Sequence, residues 1–250
     1  MKSLGQILEV TNLSKSFDGI RAVDDLSFDV SDQDTLALLG PNGAGKSTLI
    51  NLLTGVYSPG HGNVRFQGKD IVGLRMHEIA QRGIVRTFQR SRLFDELSVL
   101  DNLSIGAIAR NRISLGVIMS EAGNWLKRLN LQTFRNMQAR SLPFGHKRLL
   151  EIGRAMMARP QLLILDEPGA GMSVDEQAFV VGLLKEIRQA GTVLMFVEHV
   201  SHVILSLATR VIVLHYGRKI YDGDPTQMAL EPEVQKIYYG RSGLNVSVGP

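Results

Sequence analysis

Gly40-Pro41-Asn42-Gly43-Ala44-Gly45-Lys46-Ser47 is the stretch from which the rest of the chain is read. Its glycines let the backbone curl so that successive N–H groups point inward. A lysine and a hydroxyl follow at the spacing G-x-x-x-x-G-K-[ST] of a loop that cradles phosphate. Before the loop, Thr35 to Leu39 is a short apolar run of the kind buried on both faces of a sheet. After it, Lys46 to Leu53 has helical composition and closes at Gly55. The helix adds its positive N-terminal end, Lys46 neutralises the β and γ phosphates, and the Ser47 hydroxyl is a ligand for Mg²⁺. The reading is a site for ATP or GTP, with Gly40, Asn42, Gly43, Ala44, Gly45, Lys46, Ser47 and Thr48 as its nucleotide-contacting set.

Working outward, the second half of such a site is a carboxylate at the end of a neighbouring buried strand. Leu162 to Leu165, followed by Asp166 and Glu167, supplies two. Asp166 is placed to hold the metal, and Glu167 to orient or deprotonate an attacking water. Glu176 to Gln189 is helix-like and leads to another apolar run, Val193 to Val197, so strand, helix and strand predict a parallel sheet. Near the start, Leu8 and Val10, then Leu26, Phe28 and Val30, alternate with polar residues as half-buried antiparallel strands do. Asn63 to Phe66 and Ile84 to Phe88 are further strand-like runs. From Arg90 to about Met157 the period becomes helical: Leu93, Leu97, Leu100 and Leu103, then Trp125, Leu126 and Leu129. Arg210 to Leu214 and Lys219 to Tyr221 flank the turn residues Tyr216, Gly217 and Arg218 as a hairpin. The tail from Ser242, mostly Gly, Ser, Val and Pro, is read as loose.

Composition limits the alternatives. At 250 residues, 44% hydrophobic and 21% charged, the chain suits one compact domain, and disordered, collagen-like and coiled-coil classes are excluded. The net charge of +4 is too mild to declare a nucleic-acid binder, and no nucleic-acid partner is expected. With no cysteine, a disulfide scaffold, thiol catalysis and Cys-ligated zinc are excluded. Met1 to Val10 has no long apolar core and does not read as a signal peptide. The stretch from Val203 to Leu214 is broken by Arg210, so no segment is apolar for long enough to span a bilayer.

With the loop at Gly40 to Ser47, Thr87-Phe88-Gln89, Leu162 to Glu167 and Val197-Glu198-His199 in this order, the sequence resembles the nucleotide-binding subunit of an ABC transporter over nearly its whole length. The resemblance implies an α/β P-loop NTPase with a mostly parallel core sheet, an N-terminal antiparallel β layer and an inserted α-helical subdomain. It implies one domain over 1–250: core at about 1–89 and 158–240, helical subdomain at about 90–157, loose tail at 241–250. Carried over, Gln89 touches Mg²⁺ and the membrane partner, His199 contacts the γ phosphate, and Phe17, in Ser16-Phe17-Asp18-Gly19, stacks on adenine. Arg90, Arg92, Leu93 and Phe94 form the groove that receives a coupling helix of the membrane subunit.

The family's signature stretch, usually Leu-Ser-Gly-Gly-Gln, here reads Leu142-Pro143-Phe144-Gly145-His146, then Lys147 and Arg148, with Leu149 to Ala158 as an amphipathic helix. Pro143 removes the hydroxyl and N–H that Ser supplies there. The helix dipole, Gly145 N–H, Lys147 and Arg148 are left to favour the phosphate of a second subunit. Leu-Pro-aromatic-Gly, and Pro168 to Ser173 after Glu167, resemble the ATPases of branched-chain amino-acid and related amide or urea-type importers, although Ser173 stands where many relatives carry Asp. The implied activity is ATP hydrolysis coupled to import at the cytoplasmic face of the membrane. The implied partners are a second ATPase subunit, two permease subunits and, indirectly, a periplasmic or surface solute-binding protein. A lipid or polysaccharide exporter and a soluble regulatory ATPase stay open as alternatives. An identical or a paralogous mate is open too, with Pro143 favouring a mixed pair.

Overall fold

The computed structural model describes residues 5–88, 92–110 and 113–239. The chain opens with a long hairpin: β1 (Gln6–Phe17) and β2 (Ile20–Ser31) turn through Asp18 and Gly19, both at positive φ, the geometry that suits the twist of paired strands. There follow β3 (Thr35–Leu39), α1 (Lys46–Leu53), β4 (His61–Phe66), β5 (Lys69–Asp70), α2 (Met76–Gln81) and β6 (Ile84–Arg86). Next come α3 (Val99–Ile105), α4 (Leu115–Arg128) and α5 (Phe144–Met157), with α3 packed on both others. The chain finishes with β7 (Leu162–Asp166), α6 (Val174–Gln189), β8 (Val193–Val197), α7 (Ser201–Leu207), β9 (Arg210–His215), β10 (Arg218–Gly223) and α8 (Pro232–Tyr239).

Two sheets result. One is antiparallel, in the order β2-β1-β4-β5. The other runs β10-β9-β3-β8-β7-β6 and is parallel except for β10. The central strands carry apolar side chains without alternation because both of their faces are covered. Leu36, Leu38, Ile164, Met195 and Ile212 face α1 and the antiparallel layer. Ala37, Leu39, Leu165, Phe196 and Val213 face a second core shared with α3, α5, α6 and α7.

Several boundaries differ from the sequence reading. Helix α5 begins at Phe144, ahead of the expected Leu149, because Pro143 suits a helix start, where its missing N–H has no partner to lose. Helix α6 begins at Val174, ahead of Glu176. The Ser173 side chain accepts from Glu176 N–H and the Glu176 carboxylate accepts from Ser173 N–H, a reciprocal box that fixes the start. Strand β6 stops at Arg86, short of Phe88. Arg218 belongs to β10, since Tyr216 and Gly217 make the whole turn with φ of 46° and 78°. The tip of that hairpin is tied on both sides: Gly217 N–H donates to the Ala44 carbonyl at 2.9 Å, and Asp24 N–H donates to the Gly217 carbonyl at 3.0 Å. The expected loose tail lies outside the described residues.

Candidate functional site

The carboxyl ends of β3, β7 and β8, adjacent in the sheet, converge on one edge, which is where open α/β sheets place ligands. At the end of β3, Gly40 takes φ 144° and Gly45 takes φ 102°. A Cβ at Gly40 would collide with the Leu214 carbonyl, and one at Gly45 with the Ala22 carbonyl, so both positions need glycine on grounds of space as well as backbone. Asn42, Gly43 and Ser47 are exposed, Thr48 is half-buried, and Ala44 N–H closes the turn onto the Pro41 carbonyl at 3.1 Å. Helix α1 has no side-chain cap and no acidic residue in its first turn, whereas α3, α4 and α6 are each capped by a serine. Its first N–H groups are therefore left for an anion.

Lys46 is only 8% exposed, and its Nζ donates to the carbonyls of Gly40 at 2.6 Å and Pro41 at 3.0 Å. Burial pushes its ammonium below the ordinary lysine value, while the charges of Glu167 and Asp166 pull the other way. The lysine is thus desolvated and pre-aimed along the loop.

Strand β7 delivers Asp166, which is buried. Burial pushes its carboxyl above the ordinary 3.8, against the nearby Arg86 guanidinium. Arg86, not singled out in the sequence, lies 3.8 Å from Asp166 and donates to Asn51 Oδ1 at 2.6 Å, and the Phe88 ring is stacked by both Arg86 and Arg92. Glu167 takes φ 52°, rare for a side-chain-bearing residue, and its N–H donates to the Val197 carbonyl at 3.0 Å. One carboxylate oxygen lies 3.4 Å from His199 Nε2. Glu198, also missed in the sequence, is buried and accepts from Gly169 N–H at 3.0 Å, which joins the loop after β8 to the loop after Glu167. Burial raises its carboxyl too.

The structure therefore brings together the loop residues, Asp166, Glu167 and His199. Gln89 lies outside the described residues, as does Arg90. Phe17 is 38% exposed and meets Tyr57 edge-on at 5.1 Å, with Lys15 Nζ 5.4 Å from its centroid. Gly145 is buried in the first turn of α5, where a Cβ would run into the Glu176 carboxylate. Phe144 beside it is 55% exposed. The expectation that Arg148 lends charge to a phosphate is corrected. It is 5% exposed, paired with Glu151 at 3.1 Å and turned onto the carbonyls of Phe88 and Glu167. Lys147 Nζ is engaged by the Arg140 carbonyl at 2.8 Å.

Strand ends that converge on a phosphate cradle place the fold among P-loop nucleotide-binding proteins. Comparison with known proteins carries this further. Residues 23–170 match the family described as ABC transporter, and the chain belongs to that family. It is 37% identical to the Pseudomonas aeruginosa high-affinity branched-chain amino acid transport ATP-binding protein BraF, over 94% of this chain and 98% of the relative. It is 34% identical to the corresponding LivG protein of Escherichia coli over the same shares. Among solved structures, the ADP conformation of MJ1267, an ATP-binding cassette of an ABC transporter, superposes with a TM-score of 0.84 at 32% identity, over 94% of this chain and 99% of that one. The enzymatic class is ATP hydrolase. Among the described residues, no helix is long and apolar enough to cross a membrane.

Proposed function

We propose that the protein is the ATP-driven motor subunit of an importer for branched-chain amino acids or a related amide-type solute, working peripherally at the membrane as a dimer with two permease subunits. The observation that carries the catalytic part is the Glu167 carboxylate 3.4 Å from His199, beside an uncapped helix N-terminus and a buried lysine. The names of the relatives support the solute class.

In this reading the amides of the loop and the start of α1 bind the phosphates, and Lys46 exchanges its loop carbonyls for phosphate oxygens. Glu167 accepts a proton from the attacking water, while His199 orients the γ phosphate. The exposed Ser47 hydroxyl and the Asp166 carboxylate are hard oxygen donors of the type Mg²⁺ accepts alongside phosphates and water, so the residues present fit that ion. When bound, it neutralises charge on the β and γ oxygens. Adenine stacking by Phe17, beside Tyr57, and closure of the partner's α5 N-terminus at Gly145 onto the γ phosphate belong to the same proposal.

A groove of about 250 Å³ between β6 and the helices α3 and α5 is lined by Thr87, Phe94, Ile105, Glu151 and Arg154. Of the residues expected for the coupling groove, Phe94 is in this lining, Arg92 and Leu93 are not, and Arg90 lies outside the described residues. The apolar floor with Arg86 and Arg154 suits an amphipathic helix of the permease.

The test is hydrolysis and uptake together. Cells lacking the chain are complemented with wild type or Glu167→Gln and assayed for uptake of leucine. The expected result is uptake with wild type only, and phosphate release by the purified complex reduced about 100-fold or more in the variant. Wild-type turnover by Glu167→Gln removes Glu167 from its role. Hydrolysis without leucine uptake directs the solute assignment to the exporter or regulatory alternatives.

A further inference from the structure

We infer that the buried Arg148–Glu151 pair on α5 is a positioning device for hydrolysis, holding the backbone of Glu167 and the chain at Phe88 and Arg92 to one helix. The inference rests on the reading of Glu167 as general base given above. One guanidinium reaches three segments: Arg148 Nη1 donates to the Phe88 carbonyl at 2.8 Å and to Glu151 Oε2 at 3.1 Å, and Nη2 donates to the Glu167 carbonyl at 3.3 Å. The other oxygen of Glu151 accepts from Arg92 N–H at 2.9 Å. Both side chains are almost fully enclosed, at 5% and 2% exposure.

Stability is a poor explanation for such a pair. Removing two charges from water offsets most of their attraction, and well-packed apolar replacements are often as stable or more so. Geometry is a better one. Glu167 sits at φ 52°, a conformation that a residue with a Cβ keeps only when its surroundings hold it. Its N–H is held by the Val197 carbonyl and its C=O by Arg148, so these two ties fix the direction in which the carboxylate leaves the backbone. The first tie comes from the core sheet and the second from α5. A displacement of α5 therefore changes the aim of the carboxylate, and the same displacement is felt at Phe88 and Arg92. A planar fork with several donors serves this purpose, and a lysine ammonium does not.

The experiment uses the chain assembled with its permease partners and measures thermal melting, KM for MgATP and kcat. The double variant Arg148→Met/Glu151→Leu removes both charges and leaves neither one buried alone. It is expected to fold and melt no lower than wild type, to keep KM within about twofold, and to lose about 100-fold in kcat, the scale of a misplaced catalytic group. Arg148→Lys, which keeps the charge without the fork, is expected not to restore kcat. A folded double variant with wild-type kcat overturns the inference, as does a raised KM with unchanged kcat. Where the double variant fails to fold, Arg148→Lys decides: a kcat loss at constant KM supports the inference and wild-type kcat overturns it. Glu167→Gln is run alongside. If it is inactive while the Arg148 variants turn over normally, only the positioning role falls; if it turns over normally, the general-base reading falls first.

Discussion

Asp166 and Glu167 are sequence neighbours with opposite surroundings. Asp166 is enclosed at the end of β7, with Arg86 3.8 Å away, while Glu167 turns through a left-handed backbone toward His199. Neighbouring carboxylates that are separated in this way can take separate roles, one for a cation and one for a proton. The buried one leaves a thermodynamic trace. Its folded-state value lies above the ordinary 3.8, so between those two values the folded chain binds more protons than the unfolded chain. This contribution to stability is fully present below the ordinary value and is lost as pH rises through the raised one. Asp166→Asn is therefore expected to flatten the fall in melting temperature over that window in nucleotide-free protein, while abolishing hydrolysis. Melting curves across pH check it, and an unchanged slope would refute it. The loop and the two carboxylates are legible from residue type and order, and His199 from the family resemblance; the structure brings all of them to one edge of the sheet. Arg86 and Glu198 are not legible, and Arg148 is read for another role. The contacts that set their roles, Arg86 to Asn51 and Asp166, Arg148 to the Phe88 and Glu167 carbonyls, and Glu198 to Gly169 N–H, come from segments distant in sequence, which no local pattern encodes.

At the scale of elements, legibility followed burial. Strands β3 and β8 and helix α1 were read to their observed bounds, because an unbroken apolar run or a glycine stop marks each of them. The starts of α5 and α6 were placed too late, since apolar periodicity says nothing about a first turn set by Pro143 or by a Ser173–Glu176 box. That box makes a prediction. Ser173→Ala should lower stability by about 1 kcal/mol in denaturant titration, whereas Ser173→Asp, an equally good cap, should be nearly neutral. A neutral alanine variant would mean that α6 is held by packing alone. Ser173 thus has a local use in starting a helix.

For the whole molecule, two of the helix starts without a side-chain cap, those of α1 and α5, point to assembly, while the short α7, also uncapped, is left aside. Helix α1 and helix α5 both lack a side-chain cap and an acidic residue in the first turn, and α1 adjoins the loop of its own chain. If the start of α5 serves a second subunit, hydrolysis and dissociation are linked. Glu167→Gln with MgATP is then expected to elute as a stable dimer in size exclusion, while wild type returns to its starting size as ATP is consumed. Monomers of the variant under saturating nucleotide would count against closure through α5.

The hairpin tip at Gly217 adds a mechanical consequence. The Ala44 carbonyl in the loop at Gly40 to Ser47 is tied from behind by the turn between β9 and β10, and the same turn bridges to Asp24 in β2. A push on the antiparallel layer is therefore passed through that turn to the phosphate cradle, so the two do not shift independently.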